Sequence, residues 1–442
     1  MGSARRRGRG AISRRRAFAA AGAALVAAPL VAACGSGGGK TVNVYYAPEE
    51  NFQSVVDKCD EQAGGRYNIV YHKLPRDADG QREQMVRRLA AGDDEMDVLG
   101  LDVTWTAEFA EAGWAVEWTG KNKAEAEKGV LPGPLETAQW QDKLYAATKN
   151  TNIQLMWYDD RLTPKPPETW EQLIAAAQRL KRQGKPYQVV FTGAQYEGLV
   201  AMYNSITESA GGRILSDDGL SVRMDRGAVN GLEILKKVAS AGITAPGLTN
   251  AQEDEARLAF EQKGSKAAFQ LNWPFVYPAM QEGNPERAKH MKWTRYPEVN
   301  PGEPSRSTIG GYNLAVSKFS PTKPEAFETA LCLRNAENQK FSAVSDGVPP
   351  TIESVYNDPE PLDPSKPAGD DNPDMATAYP MKDTILAALK EPGVRPATPA
   401  YQNVSTVIST VISPSSAINP QSTADRLRSE IADALQSKGV LP

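Results

Sequence analysis

The sequence predicts an α/β fold, and three observations carry that expectation. Between residues 41 and 110, short β-rich runs alternate with stretches whose apolar residues recur at helical spacing. The intervening helices are long enough to act as crossovers, so neighbouring strands should run mainly parallel. The same alternation continues to about Arg295, and "STIGGYNLAVS" then returns as a strand of the first set.

Ahead of the first strand lie 33 residues with seven arginines and no acid, ending in an Ala/Val/Leu-rich run from Ala17 to Ala33. A basic head, a short apolar stretch and small residues at its end make residues 1–33 a secretory signal peptide. "RRAF" also resembles a twin-arginine export signal. "GGKT" imitates the end of a phosphate loop, but the first glycine of that pattern would fall on Cys34, and no strand precedes it. Leu30 to Cys34 instead resembles a lipobox, in which small residues precede a cysteine that takes a lipid. Residues 34–40 are then a lipidated flexible tether, the Gly/Ser stretch supplying the flexibility.

"TVNVYYA" is the first strand. The helix around Phe52 to Gln62 follows, with Phe52, Val55, Val56 and Cys59 on one stripe. "YNIVYHKL", a helix from about Gly80 to Ala91, and "DVLGLD" complete the opening units. Asp102 ends that third strand, where ligands sit in sheets of this kind. "LYAATKNTNIQLMWY" is one extended run, longer than a single strand needs. Thr169 with Gln172 makes a capping-box pattern ahead of a stripe of Trp170, Leu173, Ile174, Ala177 and Leu180. Five prolines among acids between Asn357 and Asp374 form a surface loop. Leu427, Ile431 and Leu435 mark the last helix, with Gly439 as its stop.

Composition narrows the function. The whole chain carries −4 and the first 33 residues +7, which leaves −11 on the remaining 409 residues. An exported acidic product of this kind is a poor nucleic-acid binder. With Cys34 lipidated, Cys59 and Cys332 are the even pair left for a disulfide outside the cytoplasm. His72 and His290 have no metal-ligand spacing, and no nucleophile-elbow or dinucleotide motif occurs, so no metal or cofactor is expected. Asp97, Asp102 and Glu253 leave a glycosidase pair open, because the sequence gives no separation between them. Trp273 follows the apolar run "AAFQL" at a strand exit, where its face can stack on the C–H groups of a sugar.

The segments "DVLGLDVTWTAEFAEAGWAVEWTG", "KLYAATKNTNIQLMWYDDRL", "PPETWEQLIAAAQRLK", "ARLAFEQKGSKAAFQLNWPF" and "STIGGYNLAVSK" resemble, in order, those of extracellular solute-binding proteins of sugar ABC importers. This is the maltose-binding-protein-like family, and "NWPFV", "TIGGYNLAV" and "VRPATPAYQ" are most similar to its mycobacterial trehalose-binding lipoproteins. The resemblance implies a binding protein, not an enzyme, with a two-lobed type II fold and a hinge of crossing strands. It implies an N-terminal lobe of residues 41–148 and 299–349 and a C-terminal lobe of 149–298 and 350–442. The crossings would fall near Ala147 to Asn152, Trp293 to Glu298 and Val348 to Thr351. It further implies a disaccharide ligand, trehalose first, held by Asp102, Asn152, Glu253, Trp273 and Arg395, with Gly311, Tyr46 and Glu197 as neighbours. Asp102 and Glu253 would accept from hydroxyls, Asn152 would donate and accept, Arg395 would donate, and Trp273 would stack. The implied partners are ABC permease subunits with a cytoplasmic ATPase. The protein would be a monomer held at the outer face of the cell membrane by its lipid.

Overall fold

The computed structural model describes residues 39–369 and 372–438. The expected signal, the lipidation of Cys34 and the helix stop at Gly439 lie outside the described residues.

Strand β1 (Lys40–Tyr46) opens the fold. Helix α1 (Phe52–Ala63) follows and buries Phe52, Val55, Val56, Cys59 and Ala63, the stripe its spacing predicts. Full burial of such a side chain is worth about 1.5–3 kcal/mol. Gly64 ends the helix at φ 61°, a left-handed conformation that only glycine adopts cheaply. Strand β2 (Tyr67–Lys73) then pairs parallel with β1. Helix α2 (Ala78–Ala90) starts at Asp77, whose carboxylate accepts from the Gly80 N–H at 2.7 Å. Strand β3 (Val98–Asp102) pairs parallel on the other side of β1.

The long extended run divides into two strands. Strand β4 (Ala146–Ile153) belongs to the first sheet and β5 (Leu155–Asp159) to the second, with only Gln154 between them. The first crossing is therefore at Gln154, and the lobe boundary expected at 148 falls inside a strand. The sequence has no break there because both strands need the same kind of residue.

Helix α3 (Trp170–Arg182) buries Trp170, Leu173, Ile174, Ala177 and Leu180. Thr169 Oγ1 accepts from the Gln172 N–H at 3.2 Å, but Gln172 Oε1 accepts from Glu168 N at 2.8 Å, one residue earlier than a capping box requires. Next come β6 (Gln188–Val190), α4 (Glu197–Ser209), α5 (Glu253–Glu261), β7 (Ala267–Asn272) and β8 (Met291–Thr294). The second sheet has the order β8-β5-β7-β6, parallel only between β6 and β7.

Strand β9 (Ile309–Val316) returns to the first sheet, giving β2-β1-β3-β9-β4, and runs antiparallel to both neighbours. Both sheets are thus mixed, not mainly parallel, because strands arriving from the other lobe enter against the local direction. The return comes later than Trp293 to Glu298: Trp293 is still paired with Trp157, and Glu298 still bridges Thr169. Val348 to Thr351 runs beside β4, where Thr151 N–H donates to the Pro349 carbonyl at 3.0 Å.

Helices α6 (Lys323–Leu333) and α7 (Ala336–Asp346) cover the first lobe, and α8 (Tyr401–Ile412) and α9 (Pro420–Leu435) the second. In α9, Leu427 and Ile431 are buried and Leu435 is partly so. The proline-rich loop is pinned where it begins: buried Lys340 donates to Asp358 Oδ2 at 2.8 Å and to the Glu360 carbonyl.

Cys59 on α1 and Cys332 on α6 are joined, 273 residues apart in sequence. Closing so long a loop restricts the unfolded chain, by up to about 5 kcal/mol in the chain-entropy treatment. Thiol titration of unreduced, unfolded mature protein should find neither cysteine free, and reduction should lower the melting temperature. Two titratable thiols would contradict the bridge.

Candidate binding site

Four consecutive residues of β9, Ile309, Gly310, Gly311 and Tyr312, form the spine of the site. Tyr312 is in register with Asp102 on β3, and Gly310 with Asn152 on β4. A Cβ on Gly310 would stand 3.1 Å from Trp273 Cη2 and 3.3 Å from Asn152 Cβ. The indole of the second lobe therefore rests directly on the backbone of the first. Gly311 has φ 125°, and a Cβ there would meet the Asn150 carbonyl oxygen at 2.3 Å. No other residue fits. Gly311 thus serves the site through its backbone, and its carbonyl accepts from the Val103 N–H at 3.2 Å.

Asp102 stands at the carboxyl end of β3. Its Oδ1 accepts from Thr104 N at 3.0 Å, Thr104 Oγ1 at 2.8 Å and Arg395 Nη2 at 3.4 Å. Oδ2 takes no hydrogen bond from the described residues, so it is the acceptor left for a hydroxyl.

Arg395 is buried, with 6 % of its surface exposed. Nη1 donates to Glu197 Oε1 at 2.6 Å, and Nη2 reaches the Ile309 carbonyl at 3.3 Å as well as Asp102. Nε is buried without a partner among the described residues. The two carboxylates hold the guanidinium firmly charged, well above its ordinary pKa, although burial opposes this.

Glu197 opens α4 and accepts from three donors: Arg395, the Tyr401 hydroxyl at 2.7 Å and Ser405 Oγ. Tyr401 and Ser405 lie four apart, on one face of α8. Burial raises the Glu197 carboxyl, and Arg395, Ser405 and Tyr401 pull it back down. With its oxygens so occupied, Glu197 stands behind Arg395 as a neighbour of the site and positions the guanidinium.

Glu253 is the first residue of α5 and is half-buried. Burial raises its carboxyl, while Tyr196, its own backbone and Trp273 lower it. Asn272 locks this corner: Nδ2 donates to the Glu253 carbonyl at 3.0 Å, and Oδ1 accepts from the Trp273 N–H at 2.9 Å. Tyr312 closes the set. Burial pushes its hydroxyl up, and the charges of Asp102, Glu49 and Glu253 add to the shift, while the hydrogen bond to Gln81 opposes it.

Asp102, Asn152, Trp273 and Arg395 therefore meet around β9, and Glu253 flanks them. Tyr46 does not join them. Its ring is fully buried, its hydroxyl is engaged by Glu49 and by Asn150 Oδ1 at 3.0 Å, and Lys149 Nζ sits 5.2 Å above the ring. An aromatic strand covered on both faces reads in sequence like a cleft-facing one. Asp97 is also structural, since it is buried and receives Asn43 N at 2.8 Å and Thr322 Oγ1 at 3.0 Å. It supplies no half of a glycosidase pair. The sequence reading missed Asn272, Tyr312, Tyr401 and Ser405. Only Asn272 carried a signal, its place directly before Trp273.

A cavity of about 50 Å³ adjoins Arg395 and is lined by Thr104, Glu136, Gln139 and Ala397. A larger one, about 320 Å³, lies away from these groups, between α1, α7 and residues 358–364. The chemistry points to the former region, which the Arg395 centre adjoins. Among the described residues no group of three His, Cys, Asp or Glu could hold a metal ion, and no helix is long and apolar enough to cross a membrane.

Residues 50–340 match the family model for a bacterial extracellular solute-binding protein. A "Probable ABC transporter-binding protein" of Deinococcus radiodurans is 29% identical over 319 residues, 69% of this chain and 74% of that protein. The fold is similar to maltose-bound T. maritima MalE3, with a TM-score of 0.77 and 24% identity over 88% of this chain and 98% of that one. It is also similar to the GacH receptor of Streptomyces glaucescens, solved unliganded and with acarbose. There the TM-score is 0.76 at 16% identity, over 91% of this chain and all of that one.

Removing Arg395 leaves Glu197 buried without its cation, so Arg395→Ala should cost about 3–5 kcal/mol of stability. Trp273→Ala should cost under about 1 kcal/mol, because a half-buried ring at a cleft contributes little to folding. Denaturant unfolding without ligand checks both. Equal losses would make Trp273 a core residue.

Proposed function

Since the chain belongs to the bacterial extracellular solute-binding proteins, a family of binding proteins and not of enzymes, we propose that it captures a disaccharide, trehalose first, between its two lobes and delivers it to an ABC permease powered by a cytoplasmic ATPase. The observation that carries this reading is the meeting of Asp102 and Asn152 from one lobe with Trp273 from the other on the bare backbone of Gly310 and Gly311. Aromatic face and flanking acceptors together suit a sugar ring, which is apolar on its faces and polar around its edge. Two of the similar structures carry maltose and acarbose, both saccharides.

In this reading Trp273 stacks on a ring, Asp102 Oδ2 and Glu253 accept from hydroxyls, and Asn152 Nδ2 donates. Arg395 holds Asp102 in place and offers Nε. A ligand gripped by both lobes binds the closed form better than the open one and shifts the population towards it. The closed form then docks on the permease. A wrong sugar leaves buried polar groups unpaired, at about 1–3 kcal/mol each, which is the source of discrimination. Cys34 carries the lipid that keeps the protein at the outer face of the membrane. Cys34→Ser should leave unprocessed precursor or release the chain to the medium, and unchanged membrane-bound, acylated protein would contradict the anchor.

Titration calorimetry of the mature chain with α-linked glucose disaccharides tests the ligand. Trehalose should bind, with no glucose released, and Asp102→Ala and Trp273→Ala should each weaken binding by about 10-fold or more. Binding of another disaccharide alone would remove trehalose and keep the class. No binding of any saccharide would overturn the reading.

A further inference from the structure

The segment leaving β2, Leu74 to Asp77, and the first turn of α2 form a lip on the first lobe, held from beneath by Gln81. Gln81 is 1 % exposed; its Nε2 donates to the Pro75 carbonyl at 2.9 Å and the Arg76 carbonyl at 3.2 Å. Its Oε1 accepts from the Tyr312 hydroxyl at 3.0 Å. The lip is thus referenced to β9, the spine of the site. Two side-chain contacts join it to the second lobe. Gln402 Nε2 donates to Asp79 Oδ1 at 3.0 Å, and Arg76 Nη1 donates to Asp254 Oδ2 at 3.0 Å.

Each contact lands one residue from a group that builds the site. Gln402 follows Tyr401, which holds Glu197, and Asp254 follows Glu253. The two contacts are unequal. Arg76 is 78 % exposed, and an exposed ion pair contributes little. Gln402 is buried and Asp79 half-buried, and a hydrogen bond to a carboxylate screened in this way is among the stronger ones. Asp79 also brings its charge to the first turn of α8, whose N-cap Ala400 has no side chain to offer.

We propose that Asp79 and Gln402 form a clasp across the cleft, made only when the lobes close, that sets how slowly a bound ligand leaves. This rests on the preceding reading that a sugar is held between the lobes. The clasp touches no ligand; it stabilises the closed form and so acts on release more than on capture.

Stopped-flow tryptophan fluorescence on the mature chain, with trehalose or whichever disaccharide calorimetry selects, tests it. Gln402→Ala and Asp79→Ala should each raise the dissociation rate about 10-fold while the association rate stays within about 2-fold. The double variant should release no faster than either single one, and Arg76→Ala should release like the wild type. The unchanged association rate separates the clasp from a merely structural pair, whose loss would disturb capture as well. Unchanged dissociation rates, or additive effects in the double variant, would overturn the clasp. If no saccharide binds, the functional reading fails by itself, and small-angle scattering then decides the clasp. Gln402→Glu sets a carboxylate against Asp79 and should expand the particle; a scattering curve identical to the wild type would overturn it.

Discussion

One buried guanidinium joins parts of the molecule that are far apart in sequence. Arg395 binds the end of β3 through Asp102, the start of β9 through the Ile309 carbonyl and the start of α4 through Glu197. Burying a charge is costly, and two carboxylates with further donors of their own are what make this burial tolerable. Tyr401 and Ser405 fix Glu197, so the position of the guanidinium follows from α8. The geometry at Asp102 is therefore set by both lobes. Any motion that separates them must break a contact of Arg395, to Asp102 and Ile309 on one side or to Glu197 on the other.

The same dependence shapes the backbone. Strand β9 is bonded on one edge to β3 and on the other to β4, and its two glycines bring the second lobe's Trp273 onto it. A side chain at Gly310 would push the indole away, and one at Gly311 would strike β4. Small residues here are a packing requirement: they let the indole and Asn152 approach the backbone of β9. The cross-lobe contacts at the lip follow from this, since Gln81 takes its position from Tyr312 on the same strand.

Much of this was legible in the sequence, for physical reasons that differ by element. The stripe Phe52, Val55, Val56 and Cys59 announced its helix because burial of one face leaves a periodic trace. Asp102 and Trp273 were legible from their places at strand ends. Asn152, Glu253 and Arg395 came only through family resemblance, since nothing local distinguishes them. The crossing at Gln154 was hidden because two abutting strands have one pattern, and only their partners tell them apart. Tyr46 lies one layer behind, its buried ring edge-on to Tyr312, a placement that a strand covered on both faces does not announce. The positioning role of Glu197 left no local trace because its donors stand about 200 residues away in sequence, at Arg395, Tyr401 and Ser405.

That both lobes hold the sugar at the Arg395 centre is tested most directly by the crystal structure of the mature chain grown with trehalose. The expected result is one disaccharide with a ring on the face of Trp273 and a hydroxyl on Asp102 Oδ2, while Arg395 keeps its bonds to Asp102 and Glu197. A sugar seated elsewhere, such as the cavity between α1 and α7, or an Arg395 turned away from Glu197, would contradict it.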